Sequence, residues 1–460
     1  MFVELIGKWL ANMPEAKAVK LCEAVARLME RTHKGEITRR NLKKCFPELS
    51  EEELRRLTHE ACARTIELGM MGLAGKYFDA KRRKETIKID EKTLEFMQST
   101  QESSRGVLFL IPHTTLMEAC TALPLFFNAH KPTSVLYRAF KSKALEREVL
   151  QGRQTMGIRL LNRKTGKLEL ARALKRGENG GMLFDQNSGR LGALISFMGR
   201  LTAVTDLQDI LYHQAGRPLP VFLMIRRTAF WRGEIVAVAL PEPKDETESL
   251  SIAVHRELEK HLRNPATRTD WLWAHNRWKA LASRQRRLGL NHKEVKEVPT
   301  EKKFSVVARL PKNLREALSL LALLRAMRRS RPDMQLTLLT RSRLIETFLA
   351  NHAADRCLGL PKSFFSRVKF CGSLKKEYFD MALDFEGSLS SRIELSATQI
   401  KERYTLNPTS DLAASAETFA RSLGLTGDVE KLSAPLPTES ELKKIPAETF
   451  ATAAKNWLSY

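Results

Sequence analysis

The sequence predicts an α/β protein in two parts: an α/β core with a helical N-terminal region, followed by a smaller Rossmann-like α/β domain. Three observations support this prediction. Residues 1–100 carry apolar side chains at helical spacing, short apolar runs alternate with amphipathic segments from Gly106, and a second strand–helix–strand pattern begins at Phe304. Alternating strands and helices are typical of a largely parallel sheet covered by helices.

The N-terminal region, residues 1–100, is predicted to be helical. Ser50 and Glu53 have the spacing of a capping box that begins a helix. Near the N-terminus, apolar residues recur on one helical face: Phe2, Leu5, Ile6, Trp9, Leu10 and Met13. That first helix either packs on its own domain or lies in a membrane interface, with Trp9 and Lys8 at headgroup level.

The domain boundaries follow from changes in composition. The predicted strands of the first core, residues 101–283, are GVLFLI, SVLYR, GGMLFD, PLPVFLMI and EIVAVAL. Residues 284–303 are polar and charged without an apolar period, so we predict a linker there. The second domain then extends over residues 304–460.

Charge is unevenly distributed along the chain. The net charge is +24, and because residues 372–460 contain 10 Lys/Arg against 13 Asp/Glu, residues 1–371 carry +27. Such a field attracts nucleic acid, anionic membrane or an acidic protein. Nucleic acid is not an expected partner, since the sequence has no nucleic-acid-binding fingerprint. No apolar segment reaches the ~18 residues of a membrane span, and no secretory signal is recognisable.

The segment GVLFLIPHTTLMEA contains the first candidate for chemistry. It places His113 at the carboxyl end of a predicted strand, where open α/β sheets bind ligands. Glu118 follows about one turn into a helix that Thr114 or Thr115 can cap. A carboxylate there can hold one imidazole nitrogen and leave the other to accept a proton, although a buried histidine with a satisfied hydrogen bond is commoner. Asp185 ends the strand GGMLFD and either reaches the same crevice or caps a loop.

Seven motifs in order resemble the late acyltransferases of lipid A biosynthesis, the lauroyl and myristoyl transferase family with its H-x4-D/E motif. The motifs are RRNLKKCFPELSEEE, GVLFLIPHTTLME, VLYRAF, LARALKRGENGGMLFDQNSG, FMGRLTAVT, GRPLPVFLMIR and WLWAHNRWK, within roughly residues 30–280. The resemblance implies an enzyme that moves a fatty acyl chain from acyl carrier protein to a hydroxyl of a Kdo-lipid IVA-type precursor. No cofactor and no metal are expected.

The same resemblance assigns the site residues. It implies catalytic roles for His113 as general base, Glu118 as its orienter, and Arg153 and Asp185. Acyl transfer also needs a cation or donors for the oxyanion, and Arg153 or Arg138 fits that need. For these two arginines a surface salt bridge is the alternative. The residues assigned to substrate binding are Arg138, Gln186, Arg277 and Lys279.

The expected partners of the acyltransferase are an acidic acyl carrier protein, an anionic lipid A precursor and the inner membrane surface. We expect the protein to lie peripherally on the cytoplasmic face, held by Phe2–Met13 and by basic clusters such as KRRK and RQRRLG. Two other functions stay open. One is a catalytically inactive scaffold that binds anionic lipid, and the other is an acyltransferase for another glycolipid acceptor.

Residues 304–395 resemble the N-terminal half of family 9 glycosyltransferases, the lipopolysaccharide heptosyltransferases. The matching segments are VVARLPKNLREALSLLALLRAMRRSRPDMQLTLLTRS, HAADRCLGLPKS and YFDMALDFEGSLSSRIE. That family has Gly-Asp in its first strand–helix turn, where this sequence has Arg315 and Glu316. A second Rossmann-like unit for the nucleotide sugar is also not expected within the remaining length. The resemblance therefore implies a half domain that is not catalytic by itself.

Overall fold

The structure, a computed structural model, describes residues 2–125, 130–138, 142–154, 157–189, 192–244, 248–278, 288–290, 295–301, 303–407, 411–430 and 436–446. Contacts between Cα atoms divide the chain into two units. The first comprises Met1–Gly192 and Val204–Arg277, and the second comprises Ala193–Ala203 and Trp278–Tyr460.

The helices of the described residues alternate with strands, as the sequence predicts. The α-helices are α1 Phe2–Ala11, α2 Glu15–Glu30, α3 His33–Cys45, α4 Glu51–Ala74, α5 Ala80–Thr86, α6 Glu91–Glu102, α7 Lys143–Gln154, α8 Lys167–Lys175, α9 Leu207–Gln214, α10 Leu250–Arg263, α11 Leu314–Ser319, α12 Leu321–Ser330, α13 Ile345–Ala350, α14 Phe364–Ser373, α15 Leu389–Ala397, α16 Leu412–Ser422 and α17 Glu439–Lys444. Short 3-10 helices cover Gly75–Tyr77, Met117–Leu125, Ser342–Leu344 and Leu374–Glu377.

The strands confirm all five apolar runs predicted in the first core and add others. They are β1 Ile87–Lys88, β2 Val107–Ile111, β3 Thr133–Tyr137, β4 Ile158–Asn162, β5 Asn179–Leu183, β6 Ala193–Phe197, β7 Arg200–Val204, β8 Leu219–Ala229, β9 Arg232–Ala239, β10 Phe304–Arg309, β11 Met334–Thr340, β12 Arg356–Gly359, β13 Met381–Asp384 and β14 Arg403–Thr405.

In the first unit, helices of the N-terminal region pack against one another and a sheet follows. α4 begins with the predicted capping box: the Ser50 side chain accepts the backbone N–H of Glu53, and the Glu53 side chain accepts the backbone N–H of Ser50. Among the described residues the sheet has the order β1-β9-β8-β2-β5-β3-β4, parallel except for β8 with β9. β2 therefore lies inside the sheet, between β8 and β5, and its first four residues are buried.

A buried carboxylate ties the helical region to this sheet. Glu67 of α4 is fully buried, and both of its oxygens share the Nε–H donor of Arg227 of β8, Oε2 at 2.8 Å and Oε1 at 3.1 Å. It also accepts the backbone N–H of Trp231 at 2.8 Å. Because a buried charge is costly without partners, these contacts fix the position of α4 against the sheet.

The first helix packs on its own domain through part of its apolar face. Leu10 and Ala11 are buried in the core of the unit, while Phe2, Leu5 and Trp9 remain 75%, 57% and 57% exposed. One part of the apolar face thus packs on the domain and another part faces outward. No helix in the described part of the chain is both long and apolar enough to span a bilayer.

The second unit is the smaller Rossmann-like α/β domain that the sequence predicts. Its parallel sheet has the order β12-β11-β10-β13-β14. The hairpin formed by β6 and β7 is assigned to this unit over Ala193–Ala203, although the sequence suggested one continuous core over residues 101–283. Arg200 explains the assignment, since it pairs with Asp380 at 2.8 Å, and Phe197 stacks on Trp278.

Candidate active site

Strand register brings the two best candidates together. β2 and β5 are parallel neighbours in which Ile111 pairs with Leu183. His113 and Asp185 each lie two residues beyond these paired strand ends, so both reach the same carboxyl edge of the sheet. Asp185 therefore reaches the crevice, one of the two alternatives that the sequence left open for it.

Asp185 holds His113 through both of its oxygens. Its Oδ1 lies 2.5 Å from His113 Nδ1, and its Oδ2 accepts the backbone N–H of His113 at 2.8 Å. Trp271 Nε1–H also donates to Oδ2, at 2.6 Å. Burial raises the pKa of Asp185, but its electrostatic interaction and hydrogen bonds with His113 and the bond from Trp271 lower it by more, so the net shift is downward and the carboxyl group is ionised.

The other imidazole nitrogen faces Gln186. The Gln186 side-chain amide lies 2.9 Å from His113 Nε2. With the Nδ1 proton donated to Asp185, Nε2 carries the lone pair and accepts from this amide. A carboxylate therefore fixes the tautomer that leaves Nε2 able to take a proton, which is the arrangement that a general base requires.

The prediction that Glu118 orients His113 is wrong. Glu118 instead accepts from Arg153, with its Oε1 2.7 Å from Nη2 and its Oε2 3.2 Å from Nε. The segment after His113 forms a 3-10 helix, Met117–Leu125, and the Thr115 hydroxyl donates to the Asp270 carbonyl instead of capping it. The chain thereby places Glu118 beside α7, where Arg153 lies, and not against the imidazole.

Arg153 and Glu118 form a nearly buried ion pair. Their side chains are 13% and 15% exposed. Burial lowers the pKa of Arg153, but Glu118 raises it by more, so the net shift is upward. The bidentate contact holds the guanidinium in one orientation, as two parallel N–H···O bonds do.

A cavity of about 700 Å³ contains these groups. Its lining includes His113, Glu118, Arg153, Gln186 and Arg138, together with apolar side chains of α4, β3 and β5. This volume is within the usual range of small-molecule sites, and few polar groups converge on a mostly apolar wall.

A narrower cavity of about 80 Å³ shares part of its lining with the large one, including Glu118 and Arg153. Its remaining wall is mainly apolar, with the polar residues Thr121, Thr133 and Asn179 among Met97, Phe109, Ile111, Cys120, Leu123, Val135, Ile158, Leu160, Gly181 and Leu223. Gly181 keeps this space open, because a Cβ there would lie 3.1 Å from Val135 Cγ2. The described groups thus combine a polar crevice with an apolar extension.

Behind Asp185, two neutral histidines fix the loop that carries Gln186. His275 Nε2 accepts the backbone N–H of Asn187 at 3.1 Å, and His255 Nε2 accepts from Arg277 Nη2 at 2.8 Å. Burial and then the charge of Arg277 lower the pKa of His255 to about 3 and that of His275 to about 4. Both rings are therefore hydrogen-bond acceptors at neutral pH.

The prediction that Arg277 binds substrate is also wrong. Arg277 is fully buried and does not line the cavity. Its guanidinium donates to His255, and its carbonyl accepts from the Asn187 amide at 2.6 Å, so it supports the loop instead. Lys279, the other predicted contact at this end of the core, lies outside the described residues.

Three residues of the site carried no recognised signal in the sequence. Trp271 belongs to WLWAHNRWK, where its indole N–H was not distinguished from ordinary aromatic packing. Its neighbour Asp270 has its pKa raised to about 6 by burial, and its backbone carbonyl accepts from Thr115. Arg163 lines the large cavity beside Arg138, and only the register of β3 and β4 reveals this.

Among solved structures, the chain is similar to two glycosyltransferases. It is 14% identical to ADP-heptose lps heptosyltransferase II of E. coli, covering 34% of this chain and 51% of that one at a TM-score of 0.24. It is 13% identical to a family 9 glycosyl transferase of Veillonella parvula DSM 2008, covering 26% and 42% at a TM-score of 0.24. The chain thus spans about half, or less, of these two structures.

Among curated proteins, the chain is similar to two enzymes of Escherichia coli (strain K12). It is 24% identical over 249 residues to lipid A biosynthesis palmitoleoyltransferase, covering 53% of this chain and 78% of that one. It is 26% identical over 260 residues to lipid A biosynthesis lauroyltransferase, covering 55% and 81%. The family model of the bacterial lipid A biosynthesis acyltransferases matches residues 1–280. The chain, an acyltransferase in its first unit, belongs to the bacterial lipid A biosynthesis acyltransferase family.

Proposed function

We propose that this protein transfers a fatty acyl chain from the thioester of an acyl carrier protein to a hydroxyl of a Kdo-lipid IVA-type lipid A precursor. The observation that carries the proposal is the contact between His113 and Asp185. It leaves Nε2 as a proton acceptor in the wall of a cavity of about 700 Å³. A hydroxyl nucleophile needs such a base, and no covalent intermediate on the protein is required.

In the proposed reaction His113 Nε2 removes the proton of the acceptor hydroxyl as its oxygen attacks the thioester carbonyl. The substrate hydroxyl takes the place of the Gln186 amide, which contacts Nε2 at 2.9 Å. Asp185 stabilises the imidazolium that forms. The C–S bond then breaks, the proton passes from Nε2 to the leaving sulfur, and a carrier thiol and an ester are the products.

Arg153 is proposed to stabilise the charge that develops on the carbonyl oxygen. Its guanidinium lines both cavities, and Glu118 holds it from one side by two hydrogen bonds. Fixed donors stabilise a developing oxyanion more than mobile ones do, because no reorganisation is needed during the reaction. Glu118 therefore acts through Arg153 in this scheme.

The narrow cavity is proposed to receive the part of the acyl chain next to its carbonyl. Its wall is mainly apolar, and it shares Arg153 and Glu118 with the polar crevice. Each methylene transferred from water into such a space contributes about 0.8 kcal/mol. A chain bound there would present its carbonyl to the polar crevice.

The charge of the protein and its first helix support the proposed partners and location. Residues 1–371 carry a net +27, which attracts an acidic carrier protein and anionic lipid. Phe2, Leu5 and Trp9 are exposed on α1, as in helices that lie in a membrane interface. We propose a peripheral position on the cytoplasmic face of the inner membrane.

The second unit is proposed to be an accessory domain that does not transfer sugar. Glu439 of α17 accepts two backbone N–H groups at the start of α11, which follows β10: that of Leu314 at 2.9 Å and that of Arg315 at 3.2 Å. A carboxylate of the chain itself therefore occupies the amino end of α11, where Rossmann-like sheets otherwise offer N–H groups to ligands. Calorimetry of the full chain with nucleotide sugars tests this, and stoichiometric binding would overturn it.

The acyltransfer proposal is tested by steady-state kinetics with an acyl carrier thioester and a Kdo-bearing lipid A precursor. His113→Gln should reduce kcat by at least about 10²-fold, the lower range of general-base contributions. His261→Gln is the matched control, since His261 lies on α10, does not line either cavity and packs against Phe222. Equal rates for the wild type and His113→Gln would refute the proposed base.

A further inference from the structure

Two arginines lie side by side at the carboxyl edge of the first sheet. In the parallel pair of β3 and β4, Tyr137 is the register partner of Asn162, and each is the last residue of its strand. Arg138 directly follows Tyr137, and Arg163 directly follows Asn162. The Arg163 backbone N–H donates to the Tyr137 carbonyl at 2.8 Å, so the pairing continues to this point. Both side chains line the large cavity that contains His113.

These two charges differ from the third arginine of the cavity. Arg153 is neutralised by Glu118, whereas neither Arg138 nor Arg163 has an ion pair or side-chain hydrogen bond within the described part of the chain. Burial, and next the charge of Arg138, lower the pKa of Arg163. Arg138 is exposed and Arg163 is half-buried, so both guanidinium groups are accessible to a ligand in the cavity. Solvent weakens the repulsion between these neighbouring cations, and an anion bound to both would offset what remains of it.

We propose that Arg138 and Arg163 form a phosphate-binding subsite of the acyltransfer cavity. The proposal rests on the proposed function and identifies the chemical group by which this site recognises a substrate. Guanidinium groups bind phosphate through pairs of parallel N–H···O bonds, and two arginines present such pairs to different oxygens of one tetrahedral anion. A planar carboxylate is satisfied by one guanidinium, as Glu118 is by Arg153, so the adjacent pair favours phosphate.

A phosphate can reach this subsite from either substrate. One source is the phosphodiester of the carrier's prosthetic arm, which precedes the thioester, and the other is a phosphate monoester on the glycolipid acceptor. Both put a phosphate in the cavity while the reacting group lies at His113. The shared chemistry defines the subsite, and the source is decided by which substrate loses affinity when the arginines are removed.

The test compares Arg138→Gln, Arg163→Gln and the double variant with Lys164→Gln in full-length protein. Lys164 is the exposed cation next to Arg163 and does not line the cavity, so its substitution removes the same charge from the same turn. Loss of a charge-assisted hydrogen bond should raise KM for the phosphate-bearing substrate roughly tenfold to a hundredfold in each arginine variant. The change in kcat should be small, and Lys164→Gln should match the wild type.

Two pairs of substrates separate the sources. Acyl-phosphopantetheine is compared with acyl-pantetheine as donor, and the phosphorylated acceptor with its dephosphorylated form. The wild type should prefer the phosphorylated member of one pair, and Arg163→Gln should lose that preference. Equal KM values for the wild type and Arg163→Gln with every substrate would overturn the subsite.

A direct binding measurement separates failure of the subsite from failure of the proposed function. Pyrophosphate should raise the unfolding temperature of the wild type and of Lys164→Gln but not that of the double arginine variant. If no acyl transfer is found, this pattern still supports the subsite, whereas equal protection of all variants overturns it. Acyl transfer without any effect of the arginines would leave the proposed function intact and refute only the subsite.

Discussion

Replacing Asp185 with Asn should abolish most of the acyl transfer by forcing the wrong tautomer on His113. In the wild type, Asp185 Oδ2 accepts two N–H groups, from the His113 backbone and the Trp271 indole, and Oδ1 accepts Nδ1–H. An Asn side chain keeps one oxygen, which then accepts the hydrogen bonds of the His113 backbone and the Trp271 indole. Its NH2 group then faces Nδ1, so the imidazole proton moves to Nε2 and blocks the base.

The magnitude follows from these contacts. In the tautomer that leaves Nε2 free, His113 Nδ1–H would face the NH2 group of the substituted side chain, and this unpaired donor costs about 1–3 kcal/mol. Loss of the negative charge that stabilises the imidazolium costs about 1.5–3 kcal/mol. Together they amount to about 2.5–6 kcal/mol, or a reduction of roughly 10²- to 10⁴-fold in kcat. Initial rates from an acyl carrier thioester, followed by thiol release, measure this directly.

Asp209→Asn is the matched control for Asp185→Asn. Asp209 also accepts backbone and hydroxyl hydrogen bonds, from Leu250 at 2.7 Å and from Ser249 at 3.2 Å, but it caps α10 and does not line the cavity. This variant should lose stability and keep its kcat. A folded Asp185→Asn protein with kcat within about threefold of the wild type would refute the tautomer reasoning, since less than about 1 kcal/mol would then depend on it.

Glu67→Gln should lower the free energy of unfolding by about 3–5 kcal/mol in urea titrations, because it removes the buried carboxylate that pairs with the half-buried Arg227. Glu60→Gln removes only a solvent-accessible ion pair with Arg56 and should cost less than about 1 kcal/mol. Burial raises the pKa of Asp270 to about 6. Its contribution to the free energy of unfolding is therefore fully present below the unfolded-state pKa near 4 and is lost as pH rises through 6. The free energy of unfolding of the wild type should therefore fall by about 2–3 kcal/mol relative to that of Asp270→Asn between pH 4 and 7. Parallel pH profiles of this free energy for the two proteins would contradict the prediction. Val135→Phe should fill the narrow cavity and shift the donor preference toward shorter acyl chains by about tenfold, measured with carriers of different chain length, and an unchanged preference would exclude this cavity as the acyl site. Trp9→Ser should weaken binding to anionic vesicles in sedimentation assays, with exposed Leu168→Ser unchanged, and equal loss in both would contradict a role of α1.

Much of the catalytic edge was predictable because buried parallel strands appear as continuous apolar runs. The runs before His113 and Asp185 end at polar residues, so both groups could be placed at the same edge of a sheet. Their contact with each other was not predictable from spacing along the chain. It depends on the pairing of Ile111 with Leu183, a register that the sequence alone does not give.

The error at Glu118 has the same origin. Glu118 lies five positions after His113, and an α-helix beginning after Pro112 would have turned it back toward the strand end. The segment instead forms a 3-10 helix whose carboxylate meets Arg153, a residue 35 positions away in the sequence. Glu118 is held by an ion pair with a residue distant in the sequence, and local helix propensity does not reveal such a contact.

The hairpin of β6 and β7 shows a second limit. Its turn places Met198 and Gly199 at φ values of 54° and 70°, a two-residue turn of the kind usually marked by Asn-Gly or Asp-Gly. Methionine gives no such signal, so the two strands were not separated in the sequence. Their assignment to the second unit depends on Arg200 and Asp380, which are 180 residues apart.

The most direct test of the proposed function measures both products of one reaction. Purified protein is incubated with an acyl carrier thioester and a phosphorylated, Kdo-bearing lipid A precursor, and the acceptor mass and the free carrier thiol are followed together. The acceptor should gain one acyl chain for each thiol released, and His113→Gln should lose both signals in parallel. Thiol release without any gain in acceptor mass, or equal gain in the wild type and His113→Gln, would contradict the proposed function.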